Sequence, residues 1–192
     1  MSKQGVLEKI AEEIKRCKIC KMGKSGKAVP GEGNPDADIV FIGEAPGRKE
    51  AATGRPFIGR SGQLLHSLIR EVGLKEEEVY ITSPVKYLPA GKAGLPGGTP
   101  TSSDIAHGRI HLMKQLDVID PKLIVLMGSV AVQGVLQSRI PVKKEHGKVI
   151  EQDGKKYFIT LHPAAALRFP PLREIIKEDF QKLKGIISIE NS

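Results

Sequence analysis

Apolar residues recur at four-residue steps at Val6, Ile10 and Ile14, the spacing of one helix face, and predict an amphipathic helix over residues 6–16. Residues 17–36 are punctuated by Gly23, Gly26, Pro30, Gly31, Gly33 and Pro35 and read as loop. Ile39-Val40-Phe41-Ile42 is an unbroken apolar run that stops at Gly43, the pattern of a parallel strand buried on both faces. A glycine-bearing loop is expected over 44–59, followed by a helix over 61–72 that Ser61 caps and Gly73 ends.

The alternation then repeats. Val79-Tyr80-Ile81-Thr82 reads as a second strand, and 88–100, rich in Gly and Pro, as a mobile surface loop. Ser102 or Ser103 is expected to cap a helix to about Leu116. Leu123-Ile124-Val125-Leu126 gives a third strand, 130–136 a helix, 156–161 a fourth strand leading into His162-Pro163, and 172–186 a terminal helix. Strands alternating with helices imply an α/β fold: a three-layer α/β/α sandwich around a central, mostly parallel four-stranded sheet. Three strand ends run into polar or glycine-rich segments, at Gly43-Glu44, Thr82-Ser83 and Leu161-His162. Open α/β sheets bind ligands beyond the carboxyl ends of their strands, so these segments should share one cleft.

The chain has 192 residues, and its 30 Lys and Arg against 22 Asp and Glu leave a net charge of +8. That length suits one domain, residues 1–192, with no repeat and no linker. No apolar run approaches the ~20 residues of a membrane span. The N-terminus mixes both charges and lacks the apolar core of a signal peptide, so a cytoplasmic protein without a membrane partner is expected. The basic excess favours polyanions, nucleic acid first. Aromatic residues make up 4% and Trp is absent, which argues against an extended base-stacking surface and leaves room for one aromatic in a pocket.

The most specific stretch is Gly43-Glu44-Ala45-Pro46-Gly47, then Glu50, then Gly54-Arg55-Pro56-Phe57-Ile58-Gly59. It is neither a Walker loop nor a dinucleotide fingerprint. Together with His162-Pro163-Ala164-Ala165-Ala166-Leu167-Arg168 it closely resembles the uracil-DNA glycosylase superfamily, nearest to family 4, the thermostable iron–sulfur enzymes. The resemblance extends from Cys17-x-x-Cys20 to Glu178-Asp179-Phe180. It implies a DNA repair enzyme that hydrolyses the bond between a flipped uracil and its sugar, leaving an abasic site. His162 would donate to the uracil oxygen beside the broken bond, and Glu44 would orient water or support the sugar cation. Ala45, Gly47, Glu50, Phe57 and Ser83 would form the base pocket, with Phe57 stacking on the base and Glu50 filling the space of a thymine methyl. Leu167, Arg168 and Phe169 would meet DNA, an apolar residue wedging into the minor groove and Arg168 on phosphate.

Plainer readings stand beside these. Phe57 can be loop-anchoring core, His162 a strand terminator, Glu50 a solvated loop charge, and the 167–172 segment a hydrophobic staple for the last helix. The segments Lys15 to Lys27 and Lys143 to Lys148 are basic and can either track phosphates or form solvated loops.

Two departures from the family stand out. Relatives carry an Asn where this chain has Ser83. A hydroxyl cannot reproduce the paired donor and acceptor of an amide. Ser83 therefore reaches uracil through water, or relaxes specificity, or marks another deaminated base such as hypoxanthine or xanthine. Family 4 also holds a four-iron cluster on four cysteines, and this chain has 2 Cys, with Tyr87 and Gly108 at the other positions. An all-cysteine 4Fe–4S cluster is therefore not possible in one chain. His107 and His111, at i, i+4, bracket the lost fourth ligand. With Cys17 and Cys20 they offer a Cys2His2 zinc set; the alternatives are surface histidines with a free dithiol or a disulfide. The chemistry itself needs no cofactor. The expectation is a monomeric, monofunctional glycosylase acting on DNA with a deaminated base. The rivals are an inactive DNA-binding relative and a glycosylase of free nucleosides or RNA.

Overall fold

A computed structural model describes residues 1–91 and 97–190. The chain opens with helix α1 (Lys3–Arg16), the short helix α2 (Lys18–Lys21) and strands β1 (Lys24–Ser25), β2 (Glu32–Gly33) and β3 (Ile39–Ile42). Helices α3 (Arg48–Thr53) and α4 (Arg60–Glu71) lead to β4 (Val79–Thr82), β5 (Leu88–Pro89) and the long helix α5 (Ser102–Ile119). Then follow β6 (Leu123–Met127), α6 (Ser129–Leu136), α7 (Val142–Glu145), β7 (Lys148–Gln152), β8 (Lys155–Thr160), α8 (Pro163–Arg168) and α9 (Leu172–Glu190).

The expected α/β/α sandwich is present, and its sheet is wider than four strands. Among the described residues it has six, in the order β2-β4-β3-β6-β8-β7. The four central strands are parallel and are the four that apolar runs predict. Every residue of β3, β4 and β6 is buried, as a sheet covered on both faces demands. The two added strands are antiparallel edges. β2 has two exposed residues and β7 is mostly exposed, so neither carries an apolar run to betray it. Helices α1, α5 and α6 pack together, as do α4, α8 and α9.

Local chemistry shifts several expected boundaries. Neither Ser102 nor Ser103 caps α5. Thr101 does, because its hydroxyl accepts from Asp104 N–H at 3.1 Å while the Asp104 carboxylate accepts from Thr101 N–H at 2.9 Å. Helix α4 is capped by Gly59 and begins at Arg60, so Ser61 lies inside it and is not its cap. The expected loop 17–36 contains α2, β1 and β2, and the loop 44–59 contains α3. The expected surface loop 88–100 begins as buried strand β5, paired with β1; its residues 92–96 lie outside the described residues. No helix among the described residues is long and apolar enough to cross a membrane.

Candidate active site

The register of the parallel strands brings the predicted site residues to one end of the sheet. Ile42 is level with Thr82 on one side and Leu126 on the other, and Met127 with Thr160. Ser83, Gly43-Glu44, Gly128 and Leu161-His162 therefore follow one another along the carboxyl edge in strand order β4, β3, β6, β8. At ~4.8 Å between strands, Glu44 and His162 spring from backbones roughly 10 Å apart. Gly128 between them contributes no side chain.

His162 is the N-cap of α8, and Pro163 at the first helical position is preset for a helix start. The Ala164 N–H donates to His162 Nδ1 at 3.1 Å. That bond makes Nδ1 an acceptor and leaves the ring proton on Nε2. Desolvation pulls the imidazole down to about 4, so at neutral pH it is an uncharged Nε2–H donor. Phe57 lies against it, ring centroids 5.7 Å apart and tilted by 33°. A Cβ at Gly43 would stand 2.4 Å from the Phe57 ring and 3.4 Å from His162 Nε2, so the missing side chain at 43 is what lets the ring close over the strand end.

Phe57 has φ 50, a left-handed conformation that costs a non-glycine residue ~1–3 kcal/mol. Its loop is held from two sides. Arg55 makes a two-pronged pair with Glu32 on β2, at 2.9 and 2.8 Å. Glu50, on the first turn of α3 and only 8% exposed, accepts the Gly59 N–H at 2.7 Å. The carboxylate thus serves the start of α4 in place of Ser61, where the helix dipole also favours a negative charge. Glu50 is no solvated loop charge.

Glu44 is half-buried. Burial raises its pKa, and the charge of Arg168 pulls it partly back. This places the Arg168 guanidinium within electrostatic reach of the acidic group. On either side of Arg168, Leu167 is 42% exposed and Phe169 56% exposed, so both apolar side chains project from the same end of α8. Ala45 packs on the small cluster of Val85, Ile105 and Val130, and Gly47 is the exposed N-cap of α3.

Ser83 is buried, and its hydroxyl donates to the Val85 carbonyl at 2.8 Å. Its proton is therefore spent on the backbone, and what remains for a ligand is lone-pair acceptance. One group goes unflagged in the sequence. Lys86 is 1% exposed and donates to Pro30 O, Thr82 Oγ1 and Gln115 Oε1 at 2.7–2.9 Å. Desolvation draws its amine down to about 7. Four positions after the strand end, a Lys looks like surface, and only the fold shows its burial.

The uracil-DNA glycosylase superfamily model matches residues 30–184. The chain belongs to the uracil-DNA glycosylase superfamily. It is 39% identical to a type-4 uracil-DNA glycosylase of Sulfurisphaera tokodaii, over 94% of this chain and 84% of that one. It is also 39% identical to the type-4 enzyme of Saccharolobus solfataricus, over 95% and 87%. The type-4 enzyme of Thermotoga maritima is 37% identical, over 98% of each chain. In this member of the superfamily, the four-cysteine cluster of family 4 does not fit. Tyr87 stands where the resemblance to family 4 expects a cysteine, and its phenol donates to Ile14 O and Lys15 O at 3.3 and 3.2 Å. At the other such position, Gly108, a Cβ would lie 1.9 Å from Pro84 O, so no side chain is tolerated there.

Of the expected basic groups, Lys24 is buried in an ion pair with Asp104, and Lys15 and Lys148 pair with Glu12 and Glu145. Those three do not form a free phosphate track.

Proposed function

We propose that this chain is a monofunctional DNA glycosylase that removes uracil from DNA by hydrolysis. The observation that carries this reading is His162, held neutral with its proton on Nε2, at the strand end next to Phe57 and on the same sheet edge as Glu44. Breaking the N-glycosidic bond sends its electron pair onto the base and leaves a sugar cation. A neutral Nε2–H stabilises the oxygen on which that negative charge settles, without first losing a proton to it. The Glu44 carboxylate opposes the developing sugar cation and takes a proton from the water whose oxygen bonds to the sugar carbon. The base leaves as its anion and gains a proton from solvent, to which Glu44 returns its own. The products are free base and an abasic site. Phe57 offers a face for the flipped base, Glu50 helps shape the pocket, and Leu167 and Phe169 fill the gap left in the duplex, with Arg168 on phosphate. These roles draw on side chains alone and ask no cofactor for the chemistry.

Ser83 supports a second, narrower statement about the base. Acting only as an acceptor, its hydroxyl suits a ring N–H such as that of uracil and opposes cytosine, whose matching nitrogen is itself an acceptor. The same preference extends to hypoxanthine and xanthine, which also carry a ring N–H. Uracil comes first and these purines second. Lys86 is the lysine with a depressed pKa that a Schiff-base mechanism would need, but it is buried and bonded to three oxygens, which supports hydrolysis without strand cleavage. We place the enzyme in the cytoplasm as a single-domain monomer with DNA as its partner.

The test is a gel assay on oligonucleotides with one uracil, hypoxanthine, xanthine or thymine, single-stranded and opposite G or A, with alkali to reveal abasic sites. Uracil is excised, and His162→Ala abolishes the excision. DNA binding with no excision of any base would favour the non-catalytic relative instead. Equal rates on free deoxyuridine and on the oligonucleotide would favour the nucleoside enzyme.

A further inference from the structure

We propose that Cys17, Cys20, His107 and His111 form a closed, tetrahedral zinc site in place of the family's iron–sulfur cluster. One ligand atom from each of these four residues lies within 4.8 Å of all the others. Zinc bound at ~2.3 Å to sulfur and ~2.0 Å to nitrogen holds its ligand atoms roughly 3.3–3.8 Å from one another, so the set needs little further approach to close on one ion. A cuboidal cluster attaches each ligand to a different iron and needs them wider apart. The spacing fits one metal ion.

The local structure explains how two sequence-distant pairs meet. Cys17 ends α1 and caps α2, and the Cys20 N–H donates to Cys17 Sγ at 3.4 Å, which holds the two cysteines on one short turn. His107 and His111 lie one turn apart on α5, their rings 6.0 Å apart and edge to face. Cys17 Sγ is 3.1 Å from His107 Nε2, across 90 residues of chain. Among the described residues His111 Nδ1 is buried without a hydrogen-bond partner. A buried ring nitrogen without a partner, on a histidine grouped with two cysteines and a second imidazole, is a polar group left unsatisfied within a set of donors that a cation would draw together.

The residues that exclude the cluster also shape this site. Gly108 lets α5 approach Pro84 so closely that a cysteine cannot stand there, and this approach sets the neighbouring turn with His107 and His111 against Cys17 and Cys20. Tyr87 is fastened to α1 carbonyls rather than pointing a donor at the sulfurs. A mixed thiolate and imidazole set, complete at four ligands, is characteristic of structural zinc, with no open position for substrate. Bound there, the ion ties α1 and α2 to α5 and closes a long loop of chain. The proposal stands independently of the excision chemistry, because its readouts are metal content and spectra.

The full chain, expressed with both zinc and iron supplied, is analysed for metals and acid-labile sulfide. It is expected to hold about one zinc per chain and under about a tenth of an iron. Replacing zinc with cobalt(II) in the unaltered protein should give the intense visible absorption of tetrahedral cobalt with a thiolate charge-transfer band, a readout that does not depend on any variant folding. His107→Ala with His111→Ala, and Cys20→Ser, should each lower the zinc content at least about tenfold. Iron with sulfide, two freely titrating thiols with no metal, a Cys17–Cys20 disulfide in the purified protein, or full zinc retention in the variants would each overturn the site.

Discussion

The carboxyl edge of the sheet and the corner where α1, α2 and α5 meet hold their polar side chains in different ways. At the edge, Glu50 accepts the Gly59 N–H, His162 caps α8, Phe57 lies against His162, and Glu44 follows β3 half-buried beside them. At the corner, a histidine pair on α5 stands within reach of two cysteines from the α1–α2 turn. The lesson is one of coupling strength. Groups that must share one transition state cannot change singly, whereas a group that only ties helices together can change its chemistry if the geometry closes again.

The largest effect expected from breaking this comparison is at the edge. His162→Ala should lower the single-turnover excision rate at least ~100-fold, the loss typical of one oxyanion donor, while leaving the Cys17 and Cys20 corner and its metal content unchanged. A rate within threefold of the parent, measured with a uracil oligonucleotide, would remove His162 from the reaction.

Lys86 joins the two regions, since its amine bonds Thr82 at the end of β4 and lies close enough to Cys20 to feel its charge. Its folded pKa, about 7, is depressed from 10.5, so between those values the unfolded chain binds more protons than the folded one. Stability should therefore rise as pH climbs from about 7 toward 10.5, and below 7, where both states are protonated, this amine adds no further pH dependence. Denaturant titrations across this range should show the rise in the parent and a flatter profile in Lys86→Met. An equal slope in both would show that the amine keeps its ordinary pKa.

Ser83→Ala is expected to cost ~1 kcal/mol of stability, the worth of the hydroxyl's bond to Val85, and to change relative rates on uracil and hypoxanthine by less than Ser83→Asn does. Stability is read by denaturant and preference by competing oligonucleotides. The smallest effect belongs to Arg168→Ala. Its charge holds Glu44 below where burial alone would set it, so its loss should move the acidic limb of the kcat/KM profile to higher pH. The salt dependence of DNA binding should fall by roughly one phosphate contact. An unmoved acidic limb would dissociate Glu44 from Arg168.

Much of the edge is legible in the sequence because its signals are local. Apolar runs mark the four parallel strands, and after three of them Glu44, Ser83 and His162 follow at one edge of the sheet. The edge strands are harder. β7 is mostly exposed and carries only Val149 and Ile150 as apolar residues, yet the turn to β8 is Asp153-Gly154 with φ 53 and 73, a hairpin signal present in the sequence itself. Other features depend on contacts across the chain. Nothing near Ser61 announces that Glu50 supplies the start of α4, and nothing near Lys86 announces that Pro30 and Gln115 enclose it. The metal corner lies between these cases. The i, i+4 histidines and the CxxC pair are visible in the sequence, but their meeting depends on how closely α5 passes over Pro84, a distance set by Gly108.

The most direct test of the account is a side-by-side single-turnover measurement of uracil excision by His162→Ala and by the Cys17→Ser/Cys20→Ser double variant, at a temperature where both are folded. The account places the chemistry at the strand ends and only stability at the corner. It predicts a loss of at least ~100-fold for the first and a rate within about threefold of the parent for the second, whose melting temperature falls. A double variant as slow as His162→Ala while fully folded would contradict it.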